Sequence, residues 1–204
     1  SYAYEMAEVH QMFPADPADE FDPVESSVGH PLGPVGDALD KAVDRLWEPL
    51  RGNPTLDRVF YTASELGDFS LLWHIAGLSQ GLTRRNGHRS TVRLALALGA
   101  ESALVNGAIK SMFHRERPVH EEERPHNLRQ PLTSSFPSGH ASAAFMAATL
   151  LSERSKTKPL WFGAAAVVAV SRLHVRIHHA SDVLVGAGIG LTLGKVIKTL
   201  MPRR

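Results

Sequence analysis

The sequence predicts an all-α protein, a bundle of about six helices with its functional site at the helix ends. Apolar residues recur at helical spacing along most of the chain, and no segment shows the sustained two-residue alternation that is typical of strands. Long stretches carry almost no charge, namely 69–82, 94–109, 141–152, 159–171 and 183–194. The 204 residues are enough for one domain with a sizeable core.

These uncharged stretches also predict contact with a membrane. A bilayer span takes about 20 mostly apolar residues, whereas runs of about 10–14 are more often core helices. Spans can begin or end at a charge, and charges that face a polar interior are tolerated. Hydrophobic residues make up 43% of the chain, but the mean hydropathy of -0.13 is low for a polytopic membrane protein. We expect a membrane-embedded or membrane-associated bundle, with a soluble bundle as the alternative.

Residues 1–35 are predicted to form an extended N-terminal arm, and residues 36–204 a single helical domain. The arm is rich in proline and acidic residues, which disfavour regular structure. The domain begins with an amphipathic helix predicted at 37–48, which Pro49 ends. Its apolar residues at helical spacing are Leu39, Val43, Leu46 and Trp47. This helix can pack on the core or lie on a membrane surface, and packing is the commoner outcome.

Five further helical regions are predicted from the apolar periodicity. They lie at 56–82, 89–115, 139–152, 159–177 and 181–200. The first of them is predicted to break near Gly67. Loops are predicted at 84–87, which holds an Asn-Gly turn signal, and at 116–136, which holds three prolines. In the last helix Gly186, Gly190 and Gly194 share one face, which indicates close helix packing.

Charge and cysteine content exclude several classes of function. Lys and Arg number 22 and Asp and Glu number 21, so the net charge of +1 produces no overall field that would attract nucleic acid. The chain has no cysteine, which excludes disulfides, thiolate metal sites and a cysteine nucleophile. Any recognition of an anion must therefore be local.

The first polar cluster consists of Lys110 and, seven residues later, Arg117 and Pro118. Seven residues is nearly two helical turns, so the two cations are predicted to share a helix face. Pro118 is predicted to end that helix. Two cations at the end of an apolar helix suit a bound anion, and compensation of the helix dipole explains them about equally well.

The second cluster is Pro137-Ser138-Gly139-His140, which opens an apolar helix. Ser138 can cap the helix, and the free backbone N–H groups there form a natural cradle for phosphate. Gly139 allows the backbone to approach a ligand closely. Taken alone, the tetrapeptide is more simply explained as an ordinary serine cap with an incidental histidine.

The third cluster is Ser171-Arg172, followed by His178 and Asp182. Arg172 is suited to bidentate contacts with phosphate oxygens. Asp182 lies four positions after His178, so its carboxylate can hold one imidazole nitrogen and select the tautomer. A core histidine and a first-turn aspartate are the plain alternatives.

The three clusters follow one another in the order Lys-x6-Arg-Pro, Pro-Ser-Gly-His and Ser-Arg-x5-His-x3-Asp. This order resembles the three-part signature of the type 2 phosphatidic acid phosphatase superfamily. Every position of the three-part signature is matched, and the resemblance covers residues 89–194. The family includes bacterial acid phosphatases, lipid phosphatases and vanadium haloperoxidases. Asn106-Gly107 and Ser135-Phe136 are similar to small actinobacterial lipid phosphatases, whereas His179 stands where many relatives carry an aromatic residue.

The resemblance implies a reaction through a phosphorylated histidine. His178 would attack phosphorus and Asp182 would orient it, while His140 would protonate the leaving oxygen and then help to activate water. The groups implied to hold the phosphoryl oxygens are Lys110, Arg117, Arg172, Ser138 and Gly139. Three fixed cations can supply the charge that metals supply elsewhere, so no metal or cofactor is expected.

We therefore expect a metal-independent phosphatase that acts on a phosphomonoester of a lipid or polyprenyl-linked substrate. The apolar helices predict a multi-pass protein of the cell membrane, without a nucleic-acid partner, and leave homo-oligomerisation open. A vanadium-dependent haloperoxidase and a catalytically silent lipid-binding membrane protein are the alternatives. The histidines and glutamates at 114–126 fit no compact metal-ligand spacing, so this segment is predicted to be a solvated loop.

Overall fold

The computed structural model describes residues 30–83, 87–118, 133–153 and 155–202. Within these ranges the chain forms α-helices and no β-strand, which confirms the all-α prediction. The helices are α1 (Gly33–Trp47), α2 (Pro54–Gly67), α3 (Leu71–Thr83), α4 (Gly87–Ser102), α5 (Gly139–Leu151), α6 (Lys158–His174) and α7 (Ala180–Leu200). Most of the predicted N-terminal arm and most of the predicted loop at 116–136 lie outside the described residues.

Helix α2 begins and ends where local chemistry predicts. The Asn53 side chain caps it by accepting the N–H groups of Thr55 and Leu56, at 3.0 and 3.2 Å. Pro54 occupies the first turn, where its missing N–H costs nothing. The helix ends at Gly67, and the short 3₁₀ turn Asp68–Ser70 leads into α3. The predicted break near Gly67 is therefore confirmed, and it divides one predicted helical region into two helices.

Helix α5 is the central helix of the bundle. Nearly all its residues are buried, and it packs most extensively against α7 and α6. Small side chains along α5 let the neighbouring helices approach closely. On α7, a Cβ added at Gly186, Gly190 or Gly194 would come within 3.0 Å of atoms of α5 or of its cap, which confirms the predicted packing face.

Helix α4 continues into a π-helical segment, Ala103–Ile109, which was not predicted. Here the Lys110 N–H donates to the carbonyl of Val105, five residues back. Residues five apart lie nearly one above the other in this geometry. Lys110 therefore lies on the same helix face as Val105, and both side chains are buried. The helix predicted at 89–115 ends near Ser111, and Arg117 follows in an irregular segment. The prediction that Lys110 and Arg117 share a helix face is wrong.

Helix α1 forms as predicted, but its apolar residues divide between two faces. Val43 and Trp47 are half-buried on the same side as the buried Asp40, whereas Leu39 and Leu46 are exposed. The expectation that this helix packs on the core is correct for the first face and wrong for Leu39 and Leu46. The packed face is anchored by a polar side chain, which apolar periodicity does not detect.

Much of the outer surface of the described helices is apolar. In the part of the chain that the structure describes, two helical stretches are long and apolar enough to cross a membrane, Gly87–Ile109 and Ala180–Leu200. Only 33% and 22% of their most apolar windows are buried inside the bundle, so most of this apolar surface faces outward. The exposed apolar residues of α3, α4 and α7 include Ile75, Leu78, Leu82, Val92, Leu96, Leu184 and Val196.

Candidate active site

The structure brings together the three cations that the sequence predicted. Lys110 and Arg172 are buried, with 5% and 1% of their surface exposed. The positive charges of Arg117 and Arg172 both act on Lys110. Arg172 comes from the last turn of α6, where its guanidinium donates to the Ser64 hydroxyl of α2. The three side chains thus converge from three different segments of the chain.

Arg117 reaches this cluster from the irregular segment after the π-helical segment. Its guanidinium donates to the carbonyl of Ile177 at 2.8 Å and to that of Thr133 at 3.0 Å. Ile177 directly precedes His178, so Arg117 is tied to the backbone of the third motif. The backbone hydrogen bonds, and not a shared helix, place this cation beside Lys110.

The N-terminus of α5 is held by its own cap and by two neighbouring segments. The Ser138 hydroxyl caps the helix by accepting the Ala141 N–H at 3.4 Å, and the Ser138 N–H donates to the Asp182 carbonyl at 3.0 Å. A Cβ at Gly139 would lie 2.5 Å from the Asn106 side-chain oxygen, so a larger residue there would have to displace the Asn106 side chain. Ser138 and Gly139 therefore hold the start of α5 against both the π-helical segment and α7.

His178 and Asp182 lie side by side at the start of α7. His178 Nδ1 is 3.5 Å from Asp182 Oδ2, longer than a hydrogen bond, and it has no other partner within the described ranges. Asp182 Oδ2 also accepts the N–H of His179 at 2.9 Å, which caps α7. Both explanations that the sequence allowed for Asp182 therefore hold, since the carboxylate caps a helix and faces the imidazole.

Burial and neighbouring charges favour the neutral form of the His178 imidazole. Burial lowers the pKa of its imidazole well below the ordinary 6.5, and the charges of Arg172 and Lys110 add to this effect while Asp182 opposes it. A neutral imidazole has one nitrogen with a free lone pair. With Nδ1 turned toward Asp182, that nitrogen is Nε2.

His140 lies in the first turn of α5, where the positive charges of Arg172 and Lys110 act on its imidazole. Its Nε2 is 2.9 Å from Asp68 Oδ1, in the turn between α2 and α3. Sequence reasoning did not single out Asp68. The available signal was an acidic residue directly after the predicted break at Gly67, between two largely apolar helices.

A second unpredicted feature is a buried ion cluster beneath Asp182. Arg115 donates to both Asp182 and Asp40, and Asp40 also accepts the Ser181 N–H at 2.7 Å. Burial raises the pKa of Asp40, but the hydrogen bonds from Arg115, His30 and Ser181 outweigh it and hold that pKa below its ordinary value. The cluster ties α1 to the segment that carries the third motif.

Near this cluster, the structure contains a cavity and a separate aromatic group. A cavity of about 280 Å³ lies between α1 and the segment before α7, lined by His178, Trp47, Arg51, Arg115 and Arg176 among others. His174 contacts Trp47, Phe60 and Tyr61, and its Nε2 lies 2.7 Å from Asp57 Oδ1. The described residues contain no group of three His, Cys, Asp or Glu that could hold a metal ion.

The family model of the PAP2 superfamily matches residues 90–204, which include every predicted site residue. The chain belongs to the PAP2 superfamily. This confirms the resemblance that the three motifs indicated. The assignment covers the second half of the chain, from α4 to α7, and leaves α1 to α3 outside the matched region.

One curated relative in this superfamily is the decaprenylphosphoryl-5-phosphoribose phosphatase of Mycobacterium tuberculosis. It is 36% identical over 92 residues, which cover 45% of this chain and 51% of that protein. The chain thus spans about half the length of this relative.

Two solved structures are similar in fold as well as in sequence. The transmembrane PAP2 type phosphatidylglycerolphosphate phosphatase of Bacillus subtilis is 26% identical with a TM-score of 0.62, over 82% of this chain and 86% of that one. LpxE of Aquifex aeolicus is 31% identical with a TM-score of 0.64, over 78% of this chain and 94% of that one.

Proposed function

We propose that this PAP2-superfamily protein is a phosphatase that hydrolyses a phosphomonoester of a membrane-borne substrate through a phosphohistidine. The observation that carries the proposal is the convergence of three cations, two imidazoles and a helix N-terminus at one point. A phosphate monoester carries a charge of about −1.5 to −2 near pH 7, which three cations match. A binding protein would not need both histidines.

The proposed reaction has two steps around one phosphoryl group. His178 Nε2 attacks phosphorus while Lys110, Arg117 and Arg172 hold the equatorial oxygens, where charge must be stabilised. His140 donates a proton to the leaving oxygen, and the alcohol departs. Neutral His140 then accepts a proton from water as the water oxygen attacks phosphorus and the bond to His178 breaks. Inorganic phosphate leaves and His178 is free again.

Asp182 orients the nucleophile in this scheme. Its carboxylate lies beside His178 Nδ1 and favours the tautomer whose Nε2 carries the lone pair. It also stabilises the positive charge that the ring acquires when phosphorus is bound. We further propose that no metal takes part, because the three cations supply the charge stabilisation.

For the substrate we propose a lipid or polyprenyl-linked phosphomonoester, with the protein crossing the cell membrane more than once. The outward-facing apolar surface of α3, α4 and α7 and the transmembrane relative support this placement. The cavity beside His178 is lined by both acidic and basic side chains, such as Asp44 and Arg51, which suit a polar head group rich in hydroxyls. The mycobacterial relative is named for such a substrate, a polyprenyl-linked phosphoribose.

The test is phosphate release from a panel of lipid phosphates in detergent micelles, with EDTA present. We expect release by the wild type and none by His178→Ala, with the variant retaining the helical circular dichroism of the wild type. Phosphate release at the wild-type rate by His178→Ala would contradict the mechanism. Halide oxidation with vanadate and peroxide, in place of phosphate release, would support the haloperoxidase alternative instead.

A further inference from the structure

The second histidine of the site has a carboxylate partner of its own. His140 Nε2 lies 2.9 Å from Asp68 Oδ1, and the two side chains are only 17% and 27% exposed. Asp68 precedes the helix α3 and is far from His140 in sequence, so a contact this short depends on the fold. The site therefore contains two imidazole–carboxylate pairs, His178 with Asp182 and His140 with Asp68.

The turn that carries Asp68 is held in an unusual conformation. The next two residues, Phe69 and Ser70, both adopt left-handed backbone angles, with φ of 51° and 57°. Non-glycine residues enter this region at a cost, and such residues cluster at functional sites. The preceding Gly67 lies against the His140 ring, where an added Cβ would be 2.8 Å from Cδ2. The turn is thus packed directly on the imidazole.

The pairing decides which nitrogen of His140 is available for the reaction. Asp68 occupies Nε2, so Nδ1 is the nitrogen left for proton transfer. A carboxylate on one side of an imidazole fixes the tautomer and stabilises the imidazolium, as in serine hydrolases. The same carboxylate would therefore favour the protonated acid in the first step and restore it after the second.

We infer that Asp68 is the positioning residue of the general acid, a role that rests on the proposed phosphatase function. In the first step the His140 imidazolium gives its Nδ1 proton to the leaving oxygen as the P–O bond breaks and the bond from His178 to phosphorus forms. In the second step neutral Nδ1 takes a proton from the attacking water as the P–N bond breaks. Asp68 stays ionised and bound to Nε2 throughout.

The test compares two leaving groups in full-length Asp68→Asn protein in detergent. Octyl phosphate releases an alkoxide that needs a proton, whereas 4-nitrophenyl phosphate releases a stable phenolate that does not. General acid catalysis contributes about 10²–10⁴-fold, so we expect kcat on octyl phosphate to fall by about 10² or more. On nitrophenyl phosphate we expect a rapid burst of about one nitrophenolate per enzyme, followed by slow turnover and accumulation of phosphoenzyme.

Asp57→Asn is the matched control. Asp57 pairs with His174 at 2.7 Å and is similarly exposed, at 21%, but it belongs to the aromatic group outside the cation cluster. We expect both substrates to be turned over by this variant at near the wild-type rate. An equal loss on both substrates without a burst, or Asp68→Asn activity like that of Asp57→Asn, would overturn the assignment.

A second measurement needs no substrate. Nitrogen-15 spectra of histidine-labelled protein, recorded at a pH where His140 is neutral, should show its Nε2–H tautomer in the wild type and a loss of that preference in Asp68→Asn. An unchanged tautomer would also overturn the assignment. Wild-type protein without phosphatase activity would contradict the proposed function, whereas active wild type with an indifferent Asp68→Asn variant would contradict this inference alone.

Discussion

Replacement of Gly190 by alanine tests the packing that holds the two halves of the site together. A Cβ at Gly190 would lie 2.9 Å from the Ser142 carbonyl carbon, 3.0 Å from the Met146 nitrogen, and closer still to the Ser142 oxygen. Ordinary contact begins at 3.4 Å, so the distances to the carbonyl carbon and the nitrogen are too short by 0.5 and 0.4 Å, and the distance to the oxygen by more. All three atoms belong to the backbone of α5, and no rotamer change can relieve the overlap. Helices α5 and α7 would have to move apart.

The magnitude follows from two opposing terms. Gly→Ala in a helix interior gains about 1 kcal/mol of helix propensity, whereas overpacking costs about 1–3 kcal/mol and occasionally more. Because backbone atoms are involved, we take the upper part of that range and expect a net loss of about 2 kcal/mol. Gly188→Ala on the same helix meets nothing within 4 Å, so it should show only the propensity gain.

The assay is reversible chemical unfolding in detergent micelles, followed by circular dichroism. The two variants should differ by about 3 kcal/mol in unfolding free energy, with Gly188→Ala the more stable. The activity of Gly190→Ala should fall as well, since α5 carries His140 and α7 carries Asp182. Equal stability of the two variants would refute the close contact between α5 and α7.

Three further predictions concern charge and metal ions. Arg115→Ala leaves the buried carboxylates of Asp40 and Asp182 without their shared cation, so the unfolding free energy in detergent should fall by about 3–5 kcal/mol. Replacement of the exposed Arg45 by alanine should change it very little. The unfolding free energy of the wild type should fall as the pH drops below about 6.5, because His178 takes up a proton in the unfolded chain but not in the buried site. His178→Asn should reduce the slope of unfolding free energy against pH by up to about 1.4 kcal/mol per pH unit. Phosphate release should be unchanged after dialysis against EDTA, and activity restored only by an added metal would contradict the proposed charge stabilisation.

The motif residues were predictable because their chemistry is unusual for apolar helices. Lys110 and Arg172 each follow a long run with little or no charge, His178 lies between two such runs, and a shared ligand explains all three in one order. The helix boundaries were also predictable wherever a local signal exists, such as Asn53 before α2 or Ser138 before α5.

Other features depend on interactions between distant segments, which local periodicity does not encode. The π-helical turn that places Lys110 on the buried face needs one extra residue within an apolar run. The apolar pattern there is compatible with an α-helix and with a π-helix, so it did not reveal the turn. Asp68 and Arg115 are polar residues whose partners lie more than 60 positions away. On α1 the buried side is set by Asp40, so apolar residues alone did not identify it.

The most direct test of the proposed mechanism is the identity of the phosphorylated residue. The protein would be mixed with a ³²P-labelled phosphomonoester, quenched in base within milliseconds, digested and mapped by mass spectrometry. The mechanism predicts an acid-labile, base-stable phosphate on the peptide that contains His178, absent from His178→Ala. Phosphate on any other residue, or undiminished labelling of His178→Ala, would contradict it.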